Sequence, residues 1–276
     1  MSSPRLTRVV VKALLISSLC SLVTPLSSGT SNSPKILNSS KILNSPKNTA
    51  PQRHSSSFAD LQVSVGEIES KESHKNDYEL LKNSSGESIG TWCSSVNFPV
   101  NSPVKWYLNK ELTPRWALAL MRKNLETISS LTGVSFVYAG EVSVSIDSPA
   151  PQGLEVMFVD SFKEPDKRVA GKTLLWTSKD QNGVSRIVGA RVVYNLSSRS
   201  FLVNAARKNG RSPGKSMWQP LLLHELGHAV GLGHSGSKKT VMYPTLRYNL
   251  RSLQPGDIAG LSALKPNTGA LCQSDI

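Results

Sequence analysis

One eleven-residue run, His-Glu-Leu-Gly-His-Ala-Val-Gly-Leu-Gly-His from His224 to His234, constrains the fold of this chain more than any other feature. Apolar residues recur at helical spacing between Leu221 and Val230, which predicts a helix there. His224 and His228 are four residues apart, so their imidazoles lie on one helix face, one turn apart. That spacing allows both rings to bind the same metal ion.

Further residues of this run complete a metal site of the catalytic type. Gly231 follows the predicted helix, and glycine ends helices because it adopts a left-handed backbone without steric cost. The chain can then reverse and bring in His234 as a third ligand, which leaves a fourth coordination position for water. Glu225 is next to His224 and points past the metal, where it can accept a proton from that water. The run therefore predicts one zinc ion, with Glu225 as general base.

The same run resembles the zinc-binding motif of the metzincin endopeptidases, H-E-x-x-H-x-x-G-x-x-H followed by a turn that contains a methionine. The sequence Val-Met-Tyr-Pro lies a few residues downstream, and Met242 matches the methionine that forms an apolar floor beneath the ligands. Ser235 after the third His and the Met-Tyr-Pro run are typical of the matrixin branch. Position 244 is Pro, so the extra tyrosine ligand of astacins and serralysins is not expected.

This resemblance extends roughly from Cys93 to the C-terminus and implies a secreted zinc endopeptidase that acts on protein or peptide substrates. Animal matrixins bind a second zinc through three further His and an Asp, and their pro-segment carries a Pro-Arg-Cys-Gly-type latency motif. This domain has no spare His and no such motif, so the sequence is more similar to bacterial secreted matrixin-like peptidases. Scattered Asp and Asn residues assign no calcium site, so a calcium requirement stays open.

The order of predicted elements indicates an α/β domain with one twisted, mostly parallel sheet and helices packed against it. Strands are predicted at Val104–Leu108, Val134–Tyr138, Leu154–Val159, Thr173–Thr177 and Ile187–Tyr194. A helix is predicted with Thr113 as its cap and Pro114 as its first residue, and it ends at Gly133. The run from Leu253 to Leu261 resembles the start of the final matrixin helix.

The resemblance also indicates which segments border the active site. Ile187–Asn195 is expected to be the sheet edge along the cleft, where an extended peptide can pair with it. The alternative is an ordinary covered strand. The loop Ser237–Val241 and the residues after Pro244 are expected to form the wall that selects the substrate side chain.

The N-terminal third of the chain predicts export rather than a fold. Arg5, Arg8 and Lys12 precede an apolar stretch that ends in small residues, so residues 1–28 are predicted to be a signal peptide. The alternative is a retained membrane anchor. Residues 29–90 begin with a stretch rich in Ser, Asn, Lys and Pro, which predicts a linker or a short pro-segment. The zinc peptidase domain is then expected at 91–276, secreted or at the cell surface.

Cysteines and charge add two expectations. Removing the signal leaves Cys93 and Cys272, and such a pair in an exported protein predicts a disulfide. In the alternative, Cys93 caps the zinc and Cys272 stays unpaired. The net charge of +13 fits a soluble basic surface or attraction to anionic cell-surface polymers. No nucleic-acid-binding motif accompanies it, so no binding to nucleic acid is expected. The protein is expected to be a monomer.

Two other functions share most of these features. One is a non-catalytic cell-surface binding module on the same scaffold, against which the intact Glu225 argues. The other is a zinc amidase that acts on cell-wall peptides, with which the basic charge is compatible.

Overall fold

In the part of the chain that the computed structural model describes, one helix interrupts a series of strands and three helices follow the last strand. That part is residues 7–14 (backbone only), 77–93, 102–163, 169–208, 210 and 212–264. Its strands are β1 (Thr7–Leu14), β2 (Gly90–Trp92), β3 (Val104–Asn109), β4 (Phe136–Val142), β5 (Leu154–Val159), β6 (Val169–Lys179) and β7 (Ser185–Asn195). Its helices are α1 (Ala117–Thr132), α2 (Arg199–Lys208), α3 (Gln219–Val230) and α4 (Pro255–Ala263).

All the described strands belong to one sheet in the order β1-β6-β7-β5-β3-β4, with β2 paired to the start of β7. The pairs β3–β4, β3–β5, β5–β7 and β2–β7 are parallel. Only β6 runs against its neighbours, antiparallel to both β7 and β1. The prediction of an α/β fold with a mostly parallel sheet is therefore confirmed.

The position of the sheet edge differs from the prediction. Ile187–Asn195 lies within β7, which pairs with β6 on one side and with β5 on the other. The prediction that this segment borders the cleft as an edge is therefore wrong. The physical reason is the hairpin that joins β6 to β7: its second strand takes the parallel partner β5, so β6 and then β1 lie between β7 and the edge of the sheet. Nearly every residue of β7 is buried, as expected for an interior strand.

The first long helix begins later than its sequence signals indicate. The helix α1 starts at Ala117, after Trp116, which makes no side-chain capping bond. Thr113 instead donates its hydroxyl to the carbonyl oxygen of Asn109, so the predicted Thr113 cap is wrong. The predicted end is confirmed, because Gly133 follows α1 in the left-handed conformation at φ 73°.

Folded chain extends N-terminal to residue 91, the predicted start of the peptidase domain. The amide of Leu81 donates to the carbonyl of Gly231 at 2.8 Å, and the amide of Gly233 donates to the carbonyl of Glu79 at 2.8 Å. Ile89 is completely buried. The segment 77–89, assigned to the linker from composition, therefore packs against the turn that follows α3.

Helix α3 lies at the centre of the buried core. It packs against β6, β7 and α1, and α1 also packs against α4. The side chain of Trp92 donates to the carbonyl of Ala229 at 2.9 Å, which fixes the end of α3 against β2. No helix among the described residues combines the length and the apolar run that crossing a membrane requires.

Candidate metal centre and active site

Helix α3 carries the first two His of the motif into the protein interior. Every residue from Pro220 to Val230 is buried, so this helix is surrounded by protein on all sides. His224 and His228 are both 0% exposed. A short 3-10 turn, Lys215–Trp218, leads into the helix, which starts two residues before the predicted Leu221.

The chain reverses directly after α3. Gly231 follows the helix at φ 117°, a conformation that residues with a side chain rarely adopt. The amide of Leu232 bonds to the carbonyl of Gly227 at 2.9 Å, which closes the last turn. His234 then lies beside the two helical His, with ring centroids 4.7 Å from His228 and 5.3 Å from His224.

The three imidazoles converge through one nitrogen each. The Nε2 atom of His228 lies 3.2 Å from Nε2 of His224 and 3.2 Å from Nε2 of His234. Two nitrogen ligands on one tetrahedral zinc are expected about 3.3 Å apart, from Zn–N bonds of about 2.0–2.1 Å. Their donor atoms are therefore already spaced as zinc ligands, and the three His could hold a metal ion.

Backbone carbonyls fix the orientation of two of these rings. Nδ1 of His224 donates to the carbonyl of Val241 at 2.7 Å, and Nδ1 of His228 donates to the carbonyl of Leu232 at 2.7 Å. Because a carbonyl can only accept, each Nδ1 carries the proton and each neutral ring presents a bare lone pair at Nε2. Two lone pairs 3.2 Å apart repel unless a cation lies between them, so the donor set fits a metal ion.

Burial keeps these rings neutral. Loss of solvation lowers the pKa of His224 from its usual 6.5 to about 4. The same cause lowers the pKa of His228 well below its usual value, and burial also lowers the pKa of His234. Neutral imidazole is the form that binds metals, so the fold keeps all three His ready to bind at neutral pH.

Glu225 lies beside this cluster with one oxygen held and one free. Its Oε2 accepts a hydrogen bond from the Thr173 hydroxyl at 2.7 Å, whereas Oε1 is buried and has no hydrogen-bond partner among the described residues. Burial raises the pKa of Glu225 from its usual 4.5 to about 8, and the Thr173 hydrogen bond acts in the opposite direction. A nearby divalent cation would lower that pKa again, because it favours the charged carboxylate.

Two residues of strand β6 shape the surroundings of this carboxylate. Thr173 contacts Glu225 from β6, and a Cβ added to Gly171, two residues away, would come within 2.6 Å of Glu225 Oε1. Gly171 therefore leaves the room that the free oxygen needs. Sequence reasoning placed Thr173 in a strand but gave it no role at the site, and nothing in its local sequence marks one.

The turn that contains Met242 packs against helix α3. Met242 is buried, and a Cβ added to Gly227 on α3 would collide with its sulfur. Its carbonyl accepts from the amide of Ser235 at 2.9 Å, which connects the turn to the residue after the third His.

A buried carboxylate, which sequence reasoning missed, holds this turn in place. Asp257 on α4 accepts hydrogen bonds from the amides of Val241 at 2.9 Å and Met242 at 3.2 Å. The carbonyl of Val241 in turn accepts the Nδ1 proton of His224, so Asp257 is connected to one imidazole of the histidine cluster through one backbone unit. Burial raises the pKa of Asp257, and these backbone hydrogen bonds oppose that shift. One signal for Asp257 was available in the sequence. It lies three residues after Gln254, the spacing of a capping box, and the two residues form such a box at the start of α4.

The two segments expected to form the wall that selects the substrate side chain line a common cavity. Lys238–Thr240 and Arg247–Gly256 contribute residues to one cavity of about 400 Å³, which three basic side chains line. These are Lys238, Lys239 and Arg247.

Of the two cysteines predicted to form a disulfide, the structure describes only Cys93. Cys93 is buried at the end of β2. Cys272 lies outside the described residues, so the predicted disulfide between them stays a prediction.

Comparison with known proteins agrees with this site. Residues 166–265, a little over a third of the chain, match the family model described as Matrixin. A 45-residue stretch is 47% identical to macrophage metalloelastase of Rattus norvegicus. That stretch spans 15% of this chain and 10% of that protein, so the likeness is confined to a short part of each.

Proposed function

We propose that this chain is a secreted zinc-dependent endopeptidase that hydrolyses peptide bonds with Glu225 as general base. The matrixin family points to a zinc metalloprotease, and the matched residues 166–265 include both the histidine cluster and β6. One observation carries the proposal: two neutral imidazoles present their lone pairs to each other at 3.2 Å, and a third ring joins them.

His224, His228 and His234 would hold the zinc. Three protein ligands leave one coordination position open, which distinguishes a catalytic from a structural zinc. When bound, zinc supplies Lewis acidity that lowers the pKa of a water from about 16 towards about 7. The carbonyls of Val241 and Leu232 keep the first two rings in the correct tautomer.

Glu225 would move the proton. Its free Oε1 is the atom that can hold the attacking water, since Oε2 is occupied by Thr173. Oε1 accepts the proton as the water attacks the scissile carbonyl, and the carboxyl group then passes that proton to the leaving amine. This role requires an ionised carboxylate. With a pKa of about 8, Glu225 needs the positive charge of the metal to be ionised at neutral pH.

Two further residues would shape the site. Gly231 ends α3 so that His234 can turn back toward the other ligands. Met242 would form the apolar floor beneath the His rings, held by its contact with Gly227 and by Asp257.

The substrate would be an unfolded or extended protein segment. The cavity lined by Lys238, Lys239 and Arg247 also has the carboxylate of Asp77 in its lining, so its charge is positive on balance. This positive charge fits the expected attraction to anionic cell-surface polymers. We further propose export by the segment 1–28 and a disulfide between Cys93 and Cys272, for which intact-mass measurement with and without reductant is the test.

The test of the function is a casein or gelatin digest by the purified protein, with and without a chelator, beside Glu225→Gln. We expect wild-type protein to digest both substrates, to lose activity with chelator and to regain it with zinc. The Gln variant should keep one zinc per chain by elemental analysis and lose turnover. Near-normal activity of Glu225→Gln would show that Glu225 is not the base.

The alternatives give different results in the same experiment. A binding module would carry zinc and digest nothing. A cell-wall amidase would release peptides from cell-wall material but leave casein intact. Wild-type protein without stoichiometric zinc would contradict all three functions.

A further inference from the structure

Strand β1 occupies the outer side of β6. The two strands pair antiparallel along eight residues, from Thr7 opposite Thr177 to Leu14 opposite Val169. The other side of β6 is taken by β7. Without β1, β6 would be the last strand of the sheet on this side, with a row of free amide and carbonyl groups.

The pairing runs past the proposed general base. Val11 lies opposite Thr173, whose hydroxyl bonds to Glu225. Ala13 lies opposite Gly171, whose Cα faces the free Oε1 of Glu225. Because neighbouring strands are about 4.8 Å apart, the backbone of residues 11–13 lies one strand spacing from the β6 positions that contact the base.

An extended peptide that presents its carbonyl to Glu225 would need this same edge. Peptides commonly bind to exposed strand edges through backbone hydrogen bonds, and one edge can pair with only one chain at a time. We propose that Thr7–Leu14 is an intramolecular blocking strand, which fills the peptide-docking edge of β6 and lowers the activity of the full chain. This inference rests on the proposed function, because it adds the regulation of that site.

The sequence of this segment suits the role. Val9, Val10 and Val11 are consecutive β-branched residues, which favour strands. A tethered strand also competes at an effective concentration in the millimolar range, which a free substrate rarely reaches. The blocking strand lies within the predicted signal peptide, so removal of residues 1–28 on export would free the edge of β6.

The experiment compares three full-length proteins made by cell-free synthesis without membranes, so that residues 1–28 are retained. They are wild type, Val10→Pro/Val11→Pro and the control Ser39→Pro/Ser40→Pro. Adjacent residues of a strand turn their amides to opposite sides, so one of the two prolines removes a donor that faces β6. The control places the same two prolines in the low-complexity stretch.

Two readouts are measured: hydrogen exchange of the β6 amides, and kcat/KM on a quenched fluorescent peptide. We expect faster exchange along the β1 side of β6 and a rise in kcat/KM of at least about tenfold in the Val10/Val11 variant. A tenfold rise corresponds to a wild-type edge that is open in about a tenth of the molecules. The control should match wild type in both readouts.

The outcomes separate this inference from the proposed function. Equal hydrogen exchange in all three proteins would overturn the blocking strand. If the proteins are active and the Val10/Val11 variant exchanges faster without a rise in kcat/KM, the blocking strand is also overturned. Activity that depends on Glu225 would still support the peptidase in both cases. Faster exchange in the variant with no activity in any of the proteins would support the docking of β1 and overturn the peptidase.

Discussion

Replacing Thr173 by Val tests how the protein tunes its proposed base. Val has nearly the same shape as Thr but cannot donate a hydrogen bond, so Oε2 of Glu225 loses its 2.7 Å partner. A hydrogen bond to a charged group contributes about 1.5–3 kcal/mol, and one pKa unit corresponds to about 1.4 kcal/mol. The Thr173 hydrogen bond lowers the pKa of Glu225, so its removal should raise that pKa by about one to two units.

The assay is the pH dependence of kcat/KM for the zinc-loaded protein. A general base works only when it is deprotonated, so a raised pKa moves the acidic limb of the profile to higher pH. We expect a shift of about one to two units, and a loss of about ten- to a hundredfold in kcat/KM on the acidic side. Zinc content should not change, because Thr173 contacts no ligand in the described part of the chain.

A matched control is available in Thr91→Val. Thr91 is also buried on a strand, but its hydroxyl has no hydrogen-bond partner among the described residues, so Val removes no bond. This variant should keep the wild-type profile. If Thr173→Val kept its acidic limb in the wild-type position, Thr173 would not set the protonation of Glu225. If both variants shifted equally, the effect would come from β-sheet packing rather than from the hydrogen bond.

Three further predictions concern the metal centre. His234→Ala should lose bound zinc and activity together, measured by elemental analysis and a casein digest; full zinc occupancy would exclude His234 as a ligand. In the chelated protein, His224 has a pKa of about 4 when folded and 6.5 when unfolded. The unfolded state therefore binds more protons at acid pH. Stability should therefore fall by about 3 kcal/mol between pH 7 and pH 4 from this residue alone, and urea unfolding that is unchanged down to pH 5 would refute this. Gly227→Ala should lower the free energy of unfolding by about 1–3 kcal/mol through collision with Met242, whereas Gly236→Ala, which has open space at its Cβ, should not.

Sequence alone predicted the part of the site that depends on local geometry. The spacing of His224 and His228 places both on one side of a helix whatever surrounds it, because four residues are about one turn. A glycine after the last helical residue gives the reversal that the structure shows at Gly231. These relations extend over a few residues, so a sequence pattern carries them completely.

Elements that depend on few buried residues were harder to predict. Helix α2 was not predicted, and it buries only Leu202 and Ala206. All residues from Phe201 to Ala206 except Asn204 are apolar, so the two buried positions do not stand out as a helical period.

Which strand lies at the edge of the sheet was also beyond local sequence. Both strands of the β6–β7 hairpin are largely apolar, so burial patterns do not distinguish them. The outcome depends on the pairing of β7 with β5, which begins about 30 residues earlier in the chain. Such a pairing is set by the whole sheet rather than by either strand.

The environment of Glu225 shows why the chemistry of the site needs the tertiary fold. Thr173 is 52 residues from Glu225 and reaches it only in one register of β6 against β7. A slip by one residue would turn Thr173 to the opposite face and direct Lys172 or Leu174 at the carboxylate instead. Gly171 must face the same carboxylate, since a side chain there would displace Oε1. The motif therefore provides the base, but the register of a distant strand decides which of its oxygens is held, which is free and at what pH it is ionised.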